Sequence, residues 1–306
     1  MPKALIPEHL VKSMLLHAPG TAVNDANDWK YHKRYCGKKT YTFKIKLLGS
    51  AKPVITRTVD VPSWYTFQWF HFVIQYAFGP WQQCHPHEFS YETETPKRRG
   101  GIPDQTVLRI LPESGAPRSL AGGRSMFEKE LKLSDIYDQS GKYHSLVVRE
   151  GAFLPLKYLY DFGNVGPQKW DHLVTFKGEK MATVDRPLFS KAVGYPPAED
   201  VGGVSGWEEV KKAFAAERPT ARQRQVREWA TERMGYKDRA KDTLAVGEKP
   251  YNPFNEVNVT VMNYEGRWEN HLEGYLEDLG EQIERPDYDD DDDDDYPFDS
   301  EDDDDL

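Results

Sequence analysis

The chain has 306 residues, 38% hydrophobic and 13% aromatic, which is enough for a substantial core and for large amphipathic contact surfaces. Its formal charge of −10 is unevenly spread: residues 281–306 hold sixteen acids against Arg285 alone, a net −15, so residues 1–280 carry 34 acids and 39 bases, a net +5. Two cysteines, Cys36 and Cys84, make neither a disulfide framework nor a metal-type spacing, and neither an apolar leader nor a membrane span is visible, so an intracellular protein, cytoplasmic or nuclear and not secreted, is expected.

Residues 1–38 read as an N-terminal arm with one short helix over 8–16. Residues 41–48 alternate apolar and polar side chains, the period of a half-buried strand, and 54–61 supply an antiparallel partner across a turn at 49–53. A helix over 66–78 follows, capped by Ser63 or Thr66 and stopped by Gly79-Pro80. Phe67, Phe70, Ile74 and Phe78 share one face of it, and Trp69, Phe72, Val73 and Tyr76 fill much of the rest. A helix apolar nearly all round is buried on more than one side. Further strands are expected over 87–93, 107–111, 145–149, 156–162 and 170–176, with a basic loop over 96–103. Three helices come later: one around Trp207, Val210 and Phe214, one over 221–234, and one over 267–279 with Trp268, Leu272, Tyr275 and Leu279 on a stripe. Strands first and helices later imply α+β: a mostly antiparallel sheet over 39–216 with helices packed on one face, a helical C-terminal extension over 217–280, and a disordered acidic tail over 281–306.

Two segments carry a resemblance. The first is Tyr158-Leu159-Tyr160-Asp161-Phe162-Gly163-Asn164 with Trp170-Asp171-His172; the second is Tyr195-Pro196-Pro197-Ala198-Glu199-Asp200-Val201-Gly202-Gly203, leading to Gly206-Trp207. Together with Pro53 and Arg57, Ala77-Phe78-Gly79, His85-Pro86-His87-Glu88-Phe89, residues 132–136 and residues 255–258, they resemble the Ri-plasmid (pRiA4b) ORF-three-like proteins over about residues 41–214. Some members of that family are labelled resolvases carried by insertion elements, so the resemblance implies a mobile-element setting, but no nucleophilic serine domain is found in this chain. The sequence departs from the family pattern at Asn164, where Asp is usual, in the longer turn through Val165 to Lys169, at the extra Ala198, and at Val201, where many members have Cys. Loss of two reactive groups within a retained aromatic and glycine frame favours a structural role for Tyr160, Asp161, Phe162, Gly163, Trp170, His172, Pro196, Pro197, Glu199, Asp200, Gly202, Gly203 and Trp207. Gly163 is expected at the turn of a hairpin, with Trp170 buried beneath it.

Asp161-Phe162-Gly163 lacks the glycine-rich loop, strand lysine and His-Arg-Asp loop that a kinase requires. His85, His87 and His172, with Glu88 and Asp161 nearby, are the candidate metal ligands, because His-x-His on a strand puts both rings on one face. Glu199 and Asp200 suit either acid–base chemistry with Asp161 or capping of the helix that follows. Residues 218–241 carry a net +5, and Arg222, Arg224, Arg227, Arg233 and Lys237 are the candidate polyanion-binding residues. The expectation is a binding protein with no cofactor and no catalytic site, whose partner is a protein, a basic one reached through the acidic tail. The alternatives are a metal-dependent enzyme using the three histidines and a nucleic-acid-binding accessory protein. The sequence sets no oligomeric state.

Overall fold

The computed structural model describes residues 38–79, 81, 85–93, 105–112, 124–161, 169–234, 251–264, 267–272 and 274. Alternation in the first hairpin decides which way the sheet faces. In β1 (Lys39–Leu47), Tyr41, Phe43, Ile45 and Leu47 are fully buried while Lys44 and Lys46 point to solvent. β2 (Thr56–Pro62) pairs antiparallel with β1, setting Val59 opposite Phe43 and Arg57 opposite Ile45. The same alternation continues through β3 (His87–Thr93), β4 (Gln105–Leu111), β8 (Leu156–Tyr160) and β9 (Trp170–Met181). With β5 (Arg124–Phe127) and β10 (Leu188–Val193) they form one eight-stranded sheet in the order β10-β2-β1-β9-β8-β3-β4-β5. Every pairing is antiparallel except β4 with β5. The fold is therefore α+β with a mixed, mostly antiparallel sheet.

Helix α1 (Phe67–Phe78) starts at Thr66, whose hydroxyl accepts from the Trp69 amide at 3.3 Å. One side of α1 lies on the inner sheet face. There Phe70 meets Phe43 at 4.8 Å and stacks on Phe89, and Phe78 stands edge-on to His172. The other side is covered from far along the chain: Tyr76 donates its hydroxyl to the Met262 carbonyl at 2.6 Å and packs on Trp268. Ten of its twelve residues are buried. This is the two-sided burial that its all-round apolar pattern requires.

Arg57 is fully buried between α1 and the sheet. Its Nε donates to the Ala77 carbonyl at 2.8 Å, and Nη1 donates to the carbonyls of Thr56 and Val193 at 2.9 Å each. Burial pushes its guanidinium down to about 9. The side chain ties the end of α1 to β2 and β10.

Shorter helices complete the fold. α2 (Leu133–Tyr137) puts Tyr137 against Tyr41, Phe43 and Phe176 on the same inner face. α4 (Gly203–Ala215) and α5 (Ala221–Met234) follow the sheet, and α6 (Val259–Met262) belongs to the segment lying over α1. Residues 145–149, expected as a strand, instead form most of a single helical turn, α3 (His144–Val147), and then β6 (Val148–Arg149), which pairs with β7 (Ala152–Phe153) as a separate small hairpin. A short apolar run without clear alternation suits either state, and burial of Val147 settles it. Strands β5 and β10 were not expected, and β9 runs five residues beyond its expected end at 176. Residues 1–37 of the arm, the basic loop at 96–103, Phe162, Gly163, Lys237 and the tail over 281–306 lie outside the described residues, while the last expected helix is seen over 267–272. Among the described residues, no helix is long and apolar enough to cross a membrane.

Candidate functional site

The sheet register brings the two sequence segments to one end. Tyr160 pairs with His87 on one side and Trp170 on the other. One residue further on, the Asp161 amide donates to the Pro86 carbonyl at 2.9 Å, which places Asp161 beside His85. Asp161 takes φ 56°, a left-handed conformation that aspartate tolerates better than most residues. The turn redirects its carboxylate toward the imidazole, with Oδ1 3.6 Å from His85 Nδ1.

The second segment closes over this end. Pro196, Pro197, Ala198, Glu199 and Val201 are buried. Glu199 Oε1 accepts from the Tyr160 hydroxyl at 2.6 Å and lies 3.6 Å from His85 Nε2. Trp81 forms the floor: its ring stacks on Tyr160 at 5.2 Å and on Trp170 at 5.3 Å, and its indole N–H donates to the Pro197 carbonyl at 3.0 Å. Asp200 stands nearby, 3.8 Å from an Arg233 nitrogen on α5. His85 thus sits between two carboxylates with a third close behind. Burial raises the Asp161 carboxyl above its ordinary range, the His85 ring pulls it back, and Asp200 adds to the rise.

Glycines let the loop turn into α4. Gly202 and Gly203 have φ of 83° and 70°, where other residues are strained. Gly206 has a different reason: a Cβ there would lie 1.5 Å from the Val201 carbonyl oxygen. The N-cap of α4 is Gly202, with no side-chain capping bond and no acid in the first turn. Capping by Glu199 or Asp200, which the sequence suggested, is therefore not what these acids do. Glu199 is held by Tyr160.

Among the described residues no three His, Cys, Asp or Glu side chains converge as metal ligands. The three candidate histidines belong to different environments. His85 stands between Asp161 and Glu199. His87 Nε2 donates to Glu128 at 2.9 Å and its ring stacks on His71. His172 is buried against Phe78 and Tyr158, and burial lowers its imidazole to about 3. The shared face that His-x-His implies is broken because His85 precedes the strand, which begins at His87. Trp207 is buried on α4.

The basic helix uses its charge internally. Arg227 donates to the Ala213 and Ala216 carbonyls at 2.8 and 2.6 Å and lies over the Phe214 ring. Arg224 donates to the Pro219 carbonyl, Arg233 faces Asp200, and Arg222 is exposed. Two residues of this end were not singled out in the sequence: Trp81, which read only as the residue after a helix stop, and Glu128, one acid in a mixed-charge run. Nothing local marked Glu128 as buried.

The family model described as "Plasmid pRiA4b ORF-3-like protein" matches residues 39–244, well over half of the chain. The protein belongs to that family. It is similar to the uncharacterized protein y4hQ of Sinorhizobium fredii (strain NBRC 101917 / NGR234), 27% identical over 169 residues that cover 55% of this chain and 70% of that one. It is also similar to the crystal structure of MM3350, a protein of unknown function from Methanosarcina mazei Go1, at 22% identity and a TM-score of 0.49, covering 74% of this chain and 98% of that one.

Proposed function

We propose that this ORF-3-like protein acts by binding, and that the end of the sheet around His85 receives a cationic group of a protein partner. One observation carries the reading: among the described residues, Asp161 and Glu199 flank the His85 imidazole, and Asp200, close enough to Asp161 to raise its carboxyl, faces Arg233. A cluster of carboxylates at one end of the sheet suits a guanidinium or ammonium group, since a charge-assisted bond to a carboxylate is stronger than a neutral one. The acid-rich segment over 281–306 has the same preference for basic partners. Catalysis has less support, because the Tyr160 hydroxyl that is bonded to Glu199 belongs to a fully buried side chain stacked on Trp81. A polyanion role for α5 also has less support, with Arg224, Arg227 and Arg233 each engaged within the chain.

Titration with argininamide, followed through the ring signals of His85 and Trp81, tests the proposal. Those signals should move saturably in the wild-type protein and respond at least tenfold more weakly in Glu199→Gln. Equal responses in both, or movement spread evenly over the surface, would exclude this end as the binding site.

A further inference from the structure

We infer that the cationic half of the outer sheet face, on β10, β2 and β1, is the docking surface for this chain's own acidic segment, residues 281–306. Strand pairing gathers the cations. Lys44 lies opposite Thr58 of β2, and Thr58 lies opposite Lys191 of β10, so both lysines leave the sheet on the side away from α1. Lys46, two residues along β1, joins them on that side. All three are exposed, and among the described residues none has an ion pair. Asp60, the only acid in these three strands, is already engaged: it bonds Lys180 at 2.6 Å and accepts from the Thr42 hydroxyl at 2.5 Å. Further across the same face the cations are matched, Lys157 by Glu92 and Arg109 by Glu88. Charge is therefore balanced over β8, β3 and β4 and unbalanced over β1 and β10.

Charge and reach select the occupant. Residues 281–306 hold sixteen acids against Arg285 alone, with an unbroken run from Asp289 to Asp295. Lys44 and Lys46 are about 7 Å apart along the strand, and Lys191 lies two strand spacings, about 10 Å, from Lys44. An unbroken acid run offers each of them a carboxylate in any register. The described chain also comes close to this edge of the sheet. His271 packs on Tyr76 at 5.1 Å, Tyr76 packs on Phe189 at 5.7 Å, and Phe189 is two residues from Lys191 on β10. Asp289 follows His271 by 18 positions, which span about 60 Å when extended, so reach does not limit the contact. Tethering gives a local concentration in the millimolar range for a short linker. Exposed charge pairs are individually weak, so the contact is diffuse and falls with salt. Docked, the segment keeps other polyanions off the lysines. The carboxylates around His85 take no part in this contact, so either site can fail without the other.

Zero-length cross-linking of the full-length protein with a carbodiimide, which joins lysines to carboxylates, tests this. At about 20 mM salt, Lys44, Lys46 and Lys191 should link to acids within residues 289–305 at least fivefold more than the exposed Lys129 and Lys142, and about 500 mM salt should abolish the difference. A mixture of unlabelled and nitrogen-15-labelled protein should give links within one chain only. Links spread evenly over the exposed lysines, or formed between chains, would overturn the inference. Heparin binding gives a second reading. At about 50 mM salt, changing every aspartate from Asp289 to Asp295 to asparagine should raise heparin affinity at least tenfold, and the gain should vanish when Lys44→Gln, Lys46→Gln and Lys191→Gln are added. Unchanged affinity in the first variant, or a gain that survives the lysine changes, would equally exclude this face as the segment's docking surface.

Discussion

His71 of α1 and His87 of β3 stack face to face, their ring centroids 3.6 Å apart and their planes within 7° of parallel. Each ring is fixed at one edge, His71 by the Tyr158 hydroxyl 2.8 Å from Nδ1 and His87 by Glu128. Tyr158 also accepts from the Gln75 side chain at 2.8 Å, so a short polar seam runs through an otherwise aromatic interface. Burial holds the His71 ring well below its usual range, and the neighbouring His87 and His271 rings add to the effect.

Acid should therefore destabilise the protein through His71 and His172. Both have folded-state pKa values depressed below the ordinary imidazole value of 6.5, so between the two values the unfolded chain binds more protons. Their neutral forms impose no penalty above that pH. Below it the protein loses stability as each ring is asked to take up a proton, and for His172 the loss continues down to about 3. Urea melts at pH 7.5, 6.0 and 5.0 should show the decline, and His172→Phe should make it shallower. An unchanged slope in that variant would remove His172 from the account.

Trp170 is fully buried beneath the site and packs on Trp81. Trp170→Ala should cost about 3 kcal/mol or more, read as a lower urea midpoint at constant m-value. A wild-type melt would make the aromatic frame a surface feature.

Arg57→Lys should destabilise the fold by about 2 kcal/mol, although the charge is kept. The guanidinium reaches three carbonyls on α1, β2 and β10, and one ammonium cannot span that geometry. Chemical denaturation decides the point. A loss below about 0.5 kcal/mol would show that the charge alone suffices.

Gly206→Ala and Gly151→Ala form a matched pair. The first puts a methyl group into the Val201 carbonyl and should cost about 3 kcal/mol or more, or prevent folding. The second meets nothing within 4 Å and pays only for its φ of 77°, about 1 kcal/mol. Comparable thermal shifts for the two would contradict the packing described around α4.

Period-two and all-round apolar patterns made the β1–β2 hairpin, α1, β3, β8 and the start of β9 legible in the sequence, because each has a face that burial must satisfy. β10 was missed since only Phe189 among its residues is buried, and β5 since it lies at the other edge with no buried side chain. At the site, Tyr160, Asp161, Trp170, Pro197 and Glu199 were selected from their motifs and do meet. His85 was singled out as a metal ligand, but its place between Asp161 and Glu199 is set by strand register, and Trp81 is placed by where α1 ends, both properties of the tertiary fold. The acids at 199–200 suggested capping by local rule, and the tertiary hydrogen bond from Tyr160 prevailed for Glu199.

The covering of α1 has a consequence for how the chain is made. Tyr76 waits for a carbonyl 186 positions later in the sequence. At ordinary translation rates of about 5–20 residues per second, that interval is roughly 10–40 s. Throughout it the nascent chain presents the aromatic outer side of α1, with Tyr65 and Tyr76, before Met262 and Trp268 exist to shield it. The order of synthesis therefore leaves this aromatic face without its cover until the last part of the chain has been made.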